Sequence, residues 1–194
     1  MDRKTEARGL LFFLMWRNSQ DGYGLVTITL HWLVTIAVVG LFALGVWMVE
    51  LDYYDSWYNR GPDLHKSVGI LLFMVMLLRL AWCYGNPHPR LIGSRFEQKA
   101  AGVVHRLLYA LMYLLMISGY LISTADGRAI EIFGLIGVPA TLSGIDNQED
   151  IAGVIHAWLA YLLIGLAALH GAAALKHHFI DRDEILKRML SVKC

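Results

Sequence analysis

Four apolar runs, each long enough to cross a bilayer and each carrying a histidine, constrain this 194-residue chain more than any other feature. They lie at about 25–49, 63–84, 96–123 and 148–176. A helix needs about 20 apolar residues to span the hydrocarbon core, so little chain is left for a separate soluble domain. Inside lipid the backbone must satisfy its own hydrogen bonds, which makes each run a helix. The expected fold is therefore all-α: an integral-membrane four-helix bundle over residues 23–180, between an N-terminal tail, 1–22, and a C-terminal tail, 181–194. The short apolar patch at 10–16 cannot span and reads as an interfacial segment in that first tail. Gly61-Pro62 is a fitting start for the second helix, and Glu149 and Asp150 suit the N-terminal dipole of the fourth.

Charge sets the expected orientation. Fourteen of the seventeen lysines and arginines fall in the first tail, in the loop joining the second and third runs with its flanks, and in the last tail. The opposite loops hold only Arg60, Lys66 and Arg128 among many acids. The positive-inside rule then places both termini in the cytoplasm. Trp47, Tyr53, Tyr54, Trp57 and Tyr58 read as an aromatic belt on the outer side. No basic run or binding module speaks for a nucleic-acid partner. The two cysteines, Cys83 and Cys194, form no CxxCH, CxxC or zinc pattern.

With orientation fixed, the histidines sort by depth. His31 lies early in a helix that starts inside, and His170 late in one that starts outside, so both sit at an inner level. His65 and His156 both lie early in helices that start outside, so both sit at an outer level. His156 and His170 are fourteen residues apart on one helix, a rise of roughly 21 Å with a return to within about 40° of the same face. Ionisable groups at membrane depth are costly and mark function by default. Pairs from different helices at two levels suit two haems as axial ligands, His31 with His170 and His65 with His156. A zinc site would favour clustered spacing such as i, i+4. Without CxxCH both haems must be held non-covalently, and two imidazoles per iron leave no open position, which favours electron transfer.

Other residues follow from the same spacing. Gly45 stands fourteen residues after His31, and Gly119 fourteen after His105, which puts glycine where a flat macrocycle could approach the backbone. Arg79, fourteen after His65, reaches the inner level, where it could pair with a propionate. Glycine is also common in membrane helices, and Arg79 also counts among the positive-inside residues. His105 and His177 are candidates for a quinone site or proton relay beside the inner haem, or else amphipathic residues at helix ends.

The stretches "LHWLV" around His31, "LHKSVGILL" around His65, "HRLLYALMYLLMISGYLIS" from His105, "IHAWLA" around His156 and "LHGAAALKHHFIDRD" from His170 resemble, in order and spacing, the bacterial cytochrome b561 family. The resemblance runs from about residue 23 to 190. It implies a multi-pass protein of the bacterial cytoplasmic membrane, two b haems on the same two histidine pairs, and electron transfer linked to ubiquinone. One well-understood member type takes an electron from superoxide at the periplasmic face, making superoxide a candidate donor here. The acid-rich outer loop at 124–150 fits an anionic donor less well. Similar di-haem subunits anchor periplasmic dehydrogenases or hydrogenases to the quinone pool, and that is the competing expectation.

Overall fold

The structure, a computed structural model, describes residues 15–192. Arg3, Lys4, Arg8, most of the apolar patch at 10–16, Lys193 and Cys194 lie outside the described residues. Four long helices carry the fold: α1 (Leu25–Met48), α2 (Arg60–Tyr84), α3 (Arg95–Ser123) and α4 (Gln148–Lys176). All four are long and apolar enough to cross a membrane. Their faces fit lipid: Ile36, Leu78, Val154, Trp158 and Leu169 stand exposed. The second helix begins at Arg60, three residues before the expected 63, because Pro62 is accepted in a first turn, where its missing N–H costs nothing. Beyond Lys176 the chain continues as a π turn over His177–Asp181, ended by Arg182 at a left-handed φ of 57°.

The expectation of an all-α chain needs one correction. Within the loop after α3, β1 (Ile130–Ile132) pairs antiparallel with β2 (Ile136–Val138). β-branched isoleucines favour the strands. Phe133 and Gly134 both take positive φ, 50° and 69°, and the Leu135 N–H donates to the Ile132 carbonyl at 2.9 Å. That is the type I′ turn whose twist matches a hairpin.

The chain divides into two compact units. The first comprises Met1–Thr35, Val75–Val103 and Ala168–Cys194. Asn18 begins α1: its Oδ1 accepts from the Gly24 N–H at 3.0 Å and the Thr27 hydroxyl at 2.7 Å. Gly24 is required there, since a Cβ would lie 2.5 Å from the Trp16 and Arg17 carbonyl oxygens. Arg17 donates to the Gly85 carbonyl at 2.6 Å and Asn86 Oδ1 at 3.1 Å, occupying acceptors at the end of α2. At α3 the Ser94 and Glu97 side chains each accept from the other's backbone N–H, a capping box. Residues after the π turn fold back: Trp32 donates to the Met189 carbonyl at 2.7 Å, and Arg188 to that of Arg90 at 2.8 Å.

The second unit comprises Ile36–Met74 and Val104–Ala167, with Leu72, Met112, Ala152 and Leu163 buried. Buried Ser67 on α2 accepts from the Phe133 N–H at 3.0 Å and fastens the hairpin. Tyr120 on α3 donates to the Pro139 carbonyl and accepts from the Thr141 N–H, both at 2.8 Å. Gln148 opens α4 by donating to the Leu121 carbonyl at 2.9 Å. These contacts fasten the loop and the facing ends of α3 and α4 through buried or half-buried polar groups that would otherwise go unpaired.

Candidate functional site

In the second unit α2 supplies His65 and α4 supplies His156, with ring centroids 6.2 Å apart and planes at 68°. The same unit turns Gly45 of α1 and Gly119 of α3 toward these rings. A Cβ on Gly45 would lie 3.3 Å from His65 Cε1, and one on Gly119 3.0 Å from His156 Cε1. The immediate effect of each glycine is thus to leave room for an imidazole. His156 is held firmly: its Nδ1 lies 3.0 Å from the Leu115 carbonyl and 3.1 Å from Ser118 Oγ. The Ser118 hydroxyl itself donates to Leu115, at 2.9 Å, so both atoms around Nδ1 act as acceptors. They keep the proton on Nδ1 and leave the Nε2 lone pair free for a metal. His65 Nδ1, in contrast, is buried with no hydrogen-bond partner among the described residues. A cavity of about 1070 Å³ opens around the pair, lined by both histidines, both glycines and apolar side chains such as Phe42, Ile70 and Ala160.

In the first unit α1 supplies His31 and α4 supplies His170, with centroids 6.3 Å apart and planes at 67°. Arg79 of α2 reaches this pair, its Nη2 3.2 Å from His31 Nδ1. Tyr23, just before α1, feels Arg188 and Arg79 nearby, but burial outweighs them and pushes its phenol above the ordinary range.

Both spacings fit a metal between the rings. Two imidazole nitrogens on opposite sides of one ion, each about 2.0 Å from it, put the ring centroids about 6.3 Å apart. The interplanar angle is then only a rotation about the metal–nitrogen axis, so 67° and 68° carry no penalty. A large apolar cavity, an orphaned buried nitrogen and glycines against the rings suit a flat hydrophobic group at the second pair.

The two further candidate histidines, His105 and His177, fall in different units. His105 is an exposed residue of α3 in the second unit, whereas His177 belongs to the first, at the start of the π turn. His177 Nδ1 donates to Asp183 at 2.6 Å and Asp181 at 3.0 Å. Beside it Lys176 bridges Asp181 at 2.7 Å and Glu97 at 2.8 Å. Sequence reasoning passed over Ser118, Leu115, Asp181 and Asp183. Ser118 alone left a signal, as a polar residue in an apolar run directly before Gly119.

A family model described as prokaryotic cytochrome b561 matches residues 22–192. Cytochrome b561 homolog 2 of Escherichia coli is 49% identical over 179 residues, covering 91% of this chain and 95% of that protein. The probable superoxide oxidase CybB of Yersinia pestis is 29% identical, covering 88% and 97% respectively. Cytochrome b562 of Cereibacter sphaeroides is 26% identical, covering 89% and 98%.

Proposed function

The chain belongs to the prokaryotic cytochrome b561 family, multi-pass membrane b-type cytochromes of electron transfer, and from that premise we propose a quinone-linked oxidoreductase with two b haems. His31 with His170 and His65 with His156 would hold the two haem irons. The observation that carries this reading is the matched centroid spacing, 6.3 and 6.2 Å, in two separate units of one chain. Haem held there would supply a one-electron relay, and two imidazoles for each iron would favour electron transfer over oxygen chemistry.

The protein's own residues set direction and environment. Among the described residues, nine lysines and arginines fall in the first unit and four in the second. By the positive-inside rule both termini and the loop between α2 and α3 then face the cytoplasm, and the loops after α1 and α3 face the periplasm. Electrons enter at the His65–His156 side from a periplasmic donor and leave to ubiquinone. Superoxide, the substrate named for the Yersinia relative, is the first donor to test: each gives one electron and becomes dioxygen, and two electrons with two protons make one quinol. Of the second unit's cations, Lys66 pairs with Asp63 at 2.9 Å and Arg128 with Asp126, so attraction of an anion there is partly neutralised. His177, oriented by two carboxylates, delivers protons on the quinone side.

Haem counting on the purified, dithionite-reduced protein tests the core of this reading, with two b haems per chain expected and one or none overturning it. Stopped-flow mixing with superoxide and a short-chain ubiquinone tests the reaction. His177→Gln should slow quinone reduction with both haem spectra intact, and unchanged turnover removes its role. A second reading, an anchor for a periplasmic dehydrogenase or hydrogenase, draws on the hairpin, where Phe133, Leu135 and Ile136 stand exposed. A stoichiometric partner retained in mild detergent would favour it.

A further inference from the structure

The two histidine pairs share a spacing but not an electrostatic setting. In the first unit a guanidinium, cationic at any accessible pH, lies 3.2 Å from the Nδ1 of His31. In the second unit the His156 Nδ1 faces only acceptors, the Leu115 carbonyl at 3.0 Å and Ser118 Oγ at 3.1 Å. These settings act on a bound iron in opposite senses. A fixed positive charge beside a ligand disfavours the extra positive charge of the oxidised metal and so raises the reduction potential. A hydrogen bond from Nδ1–H to a carbonyl makes the imidazole more basic, strengthens its donation to the oxidised metal and lowers the potential. The charge near His65 does not reverse this, since the adjacent Lys66 is paired with Asp63.

We propose that Arg79 makes the His31–His170 centre the more oxidising of the two, and that the Leu115–Ser118 pair makes the His65–His156 centre the more reducing. Each electron passed from the second pair to the first then oxidises one iron and reduces the other, and runs downhill. The inference rests on the ligand assignment above. Arg79 is a positioning residue: it acts through His31 and its own charge. A guanidinium has only donors, so it cannot accept the proton that Nδ1 carries when Nε2 binds a metal. It therefore cannot make His31 more basic in the way that Leu115 does for His156.

Spectroelectrochemical titration of the purified di-haem protein, with haem counted in each sample, tests this. The wild type should show two midpoints. Arg79→Gln should lower the higher one so that the partition of electrons between the centres changes at least tenfold, about 59 mV for a one-electron couple. Arg79→Lys, which keeps the charge, should stay near the wild type, and Ser118→Ala should move only the lower midpoint, upward. Should Arg79→Gln bind a single haem, a survivor with the lower wild-type midpoint supports the proposal and one with the higher midpoint overturns it. Unmoved midpoints in Arg79→Gln, an equal shift of both, or an equal shift in Arg79→Lys also overturn it. Failure of the ligand assignment would read differently, as two haems retained in His31→Leu.

Discussion

The His31–His170 and His65–His156 pairs differ in centroid spacing by only 0.1 Å, at 6.3 and 6.2 Å, yet they are built from different materials. The first unit sets a charge on its pair, Arg79 against His31, and holds further charges elsewhere, Arg188 near Tyr23 and the Lys176 network at the end of α4. The second surrounds its pair with glycines, a serine and a carbonyl. Under the proposed ligand assignment, spacing would answer to the metal. Surroundings would answer to the potential and the partner, and are free to diverge. The comparison teaches that one helix, α4, can place its two histidines in pairs of like spacing and unlike surroundings.

Removing a ligand is the strongest way to break the comparison. His31→Leu and His65→Leu should each leave one haem per chain, and the double variant none, read by haem content. The two survivors should differ in midpoint, which separates two unlike sites from two copies of one. A single variant that loses both haems would show the sites to be interdependent.

Glycine substitutions sharpen it next. An added Cβ at Gly119 would press on His156 Cε1 at 3.0 Å and on its Nδ1 at 3.3 Å, against a ring pinned by Leu115 and Ser118. At Gly45 it would meet His65 Cε1 at 3.3 Å, and that ring has no hydrogen bond at Nδ1 to hold it in place. Gly119→Ala should therefore cost about 1–3 kcal/mol as an overpacked site, and Gly45→Ala less. Thermal unfolding with haem occupancy checks the order, and equal losses would mean that the imidazoles are equally free.

Much of this was legible in the sequence because membrane helices obey few rules. Apolar length gave α1, α3 and α4 their bounds within a residue or so, since the backbone has no alternative in lipid. Loop charge and depth proposed which histidines would meet, and the rings of those pairs stand 6.3 and 6.2 Å apart. Their immediate environment could not be read that way. Leu115 contributes a backbone carbonyl, which any residue could offer, and the contact of Arg79 with His31 depends on how α2 is rotated. The hairpin escaped because three-residue strands leave too short a pattern to stand out, and its turn puts Phe133, a bulky residue, at positive φ. The π turn escaped too, because nothing in His177–Asp181 separates it from one more helical turn, although it is what brings Asp181 and Asp183 onto His177.

The smallest expected effects come from the ion pairs of the two regions. Lys176 in the first unit touches two carboxylates and is 44% exposed, whereas Arg128 in the second pairs with Asp126 and is 86% exposed. Solvent and salt screen such pairs heavily. Lys176→Met should lower Tm slightly at low salt, with the difference shrinking as salt rises. Arg128→Gln should do less at neutral pH, and its effect carries a pH signature. The hydrogen bond from Arg128 holds the Asp126 carboxyl below its ordinary range. The stability from that pair is thus present above the ordinary carboxylate range and lost as pH falls through the depressed value. The Tm gap between wild type and Arg128→Gln should accordingly close on acidification. A gap that widens in acid would mean that Arg128 serves another partner, and would return the second unit a free cation for an anionic donor.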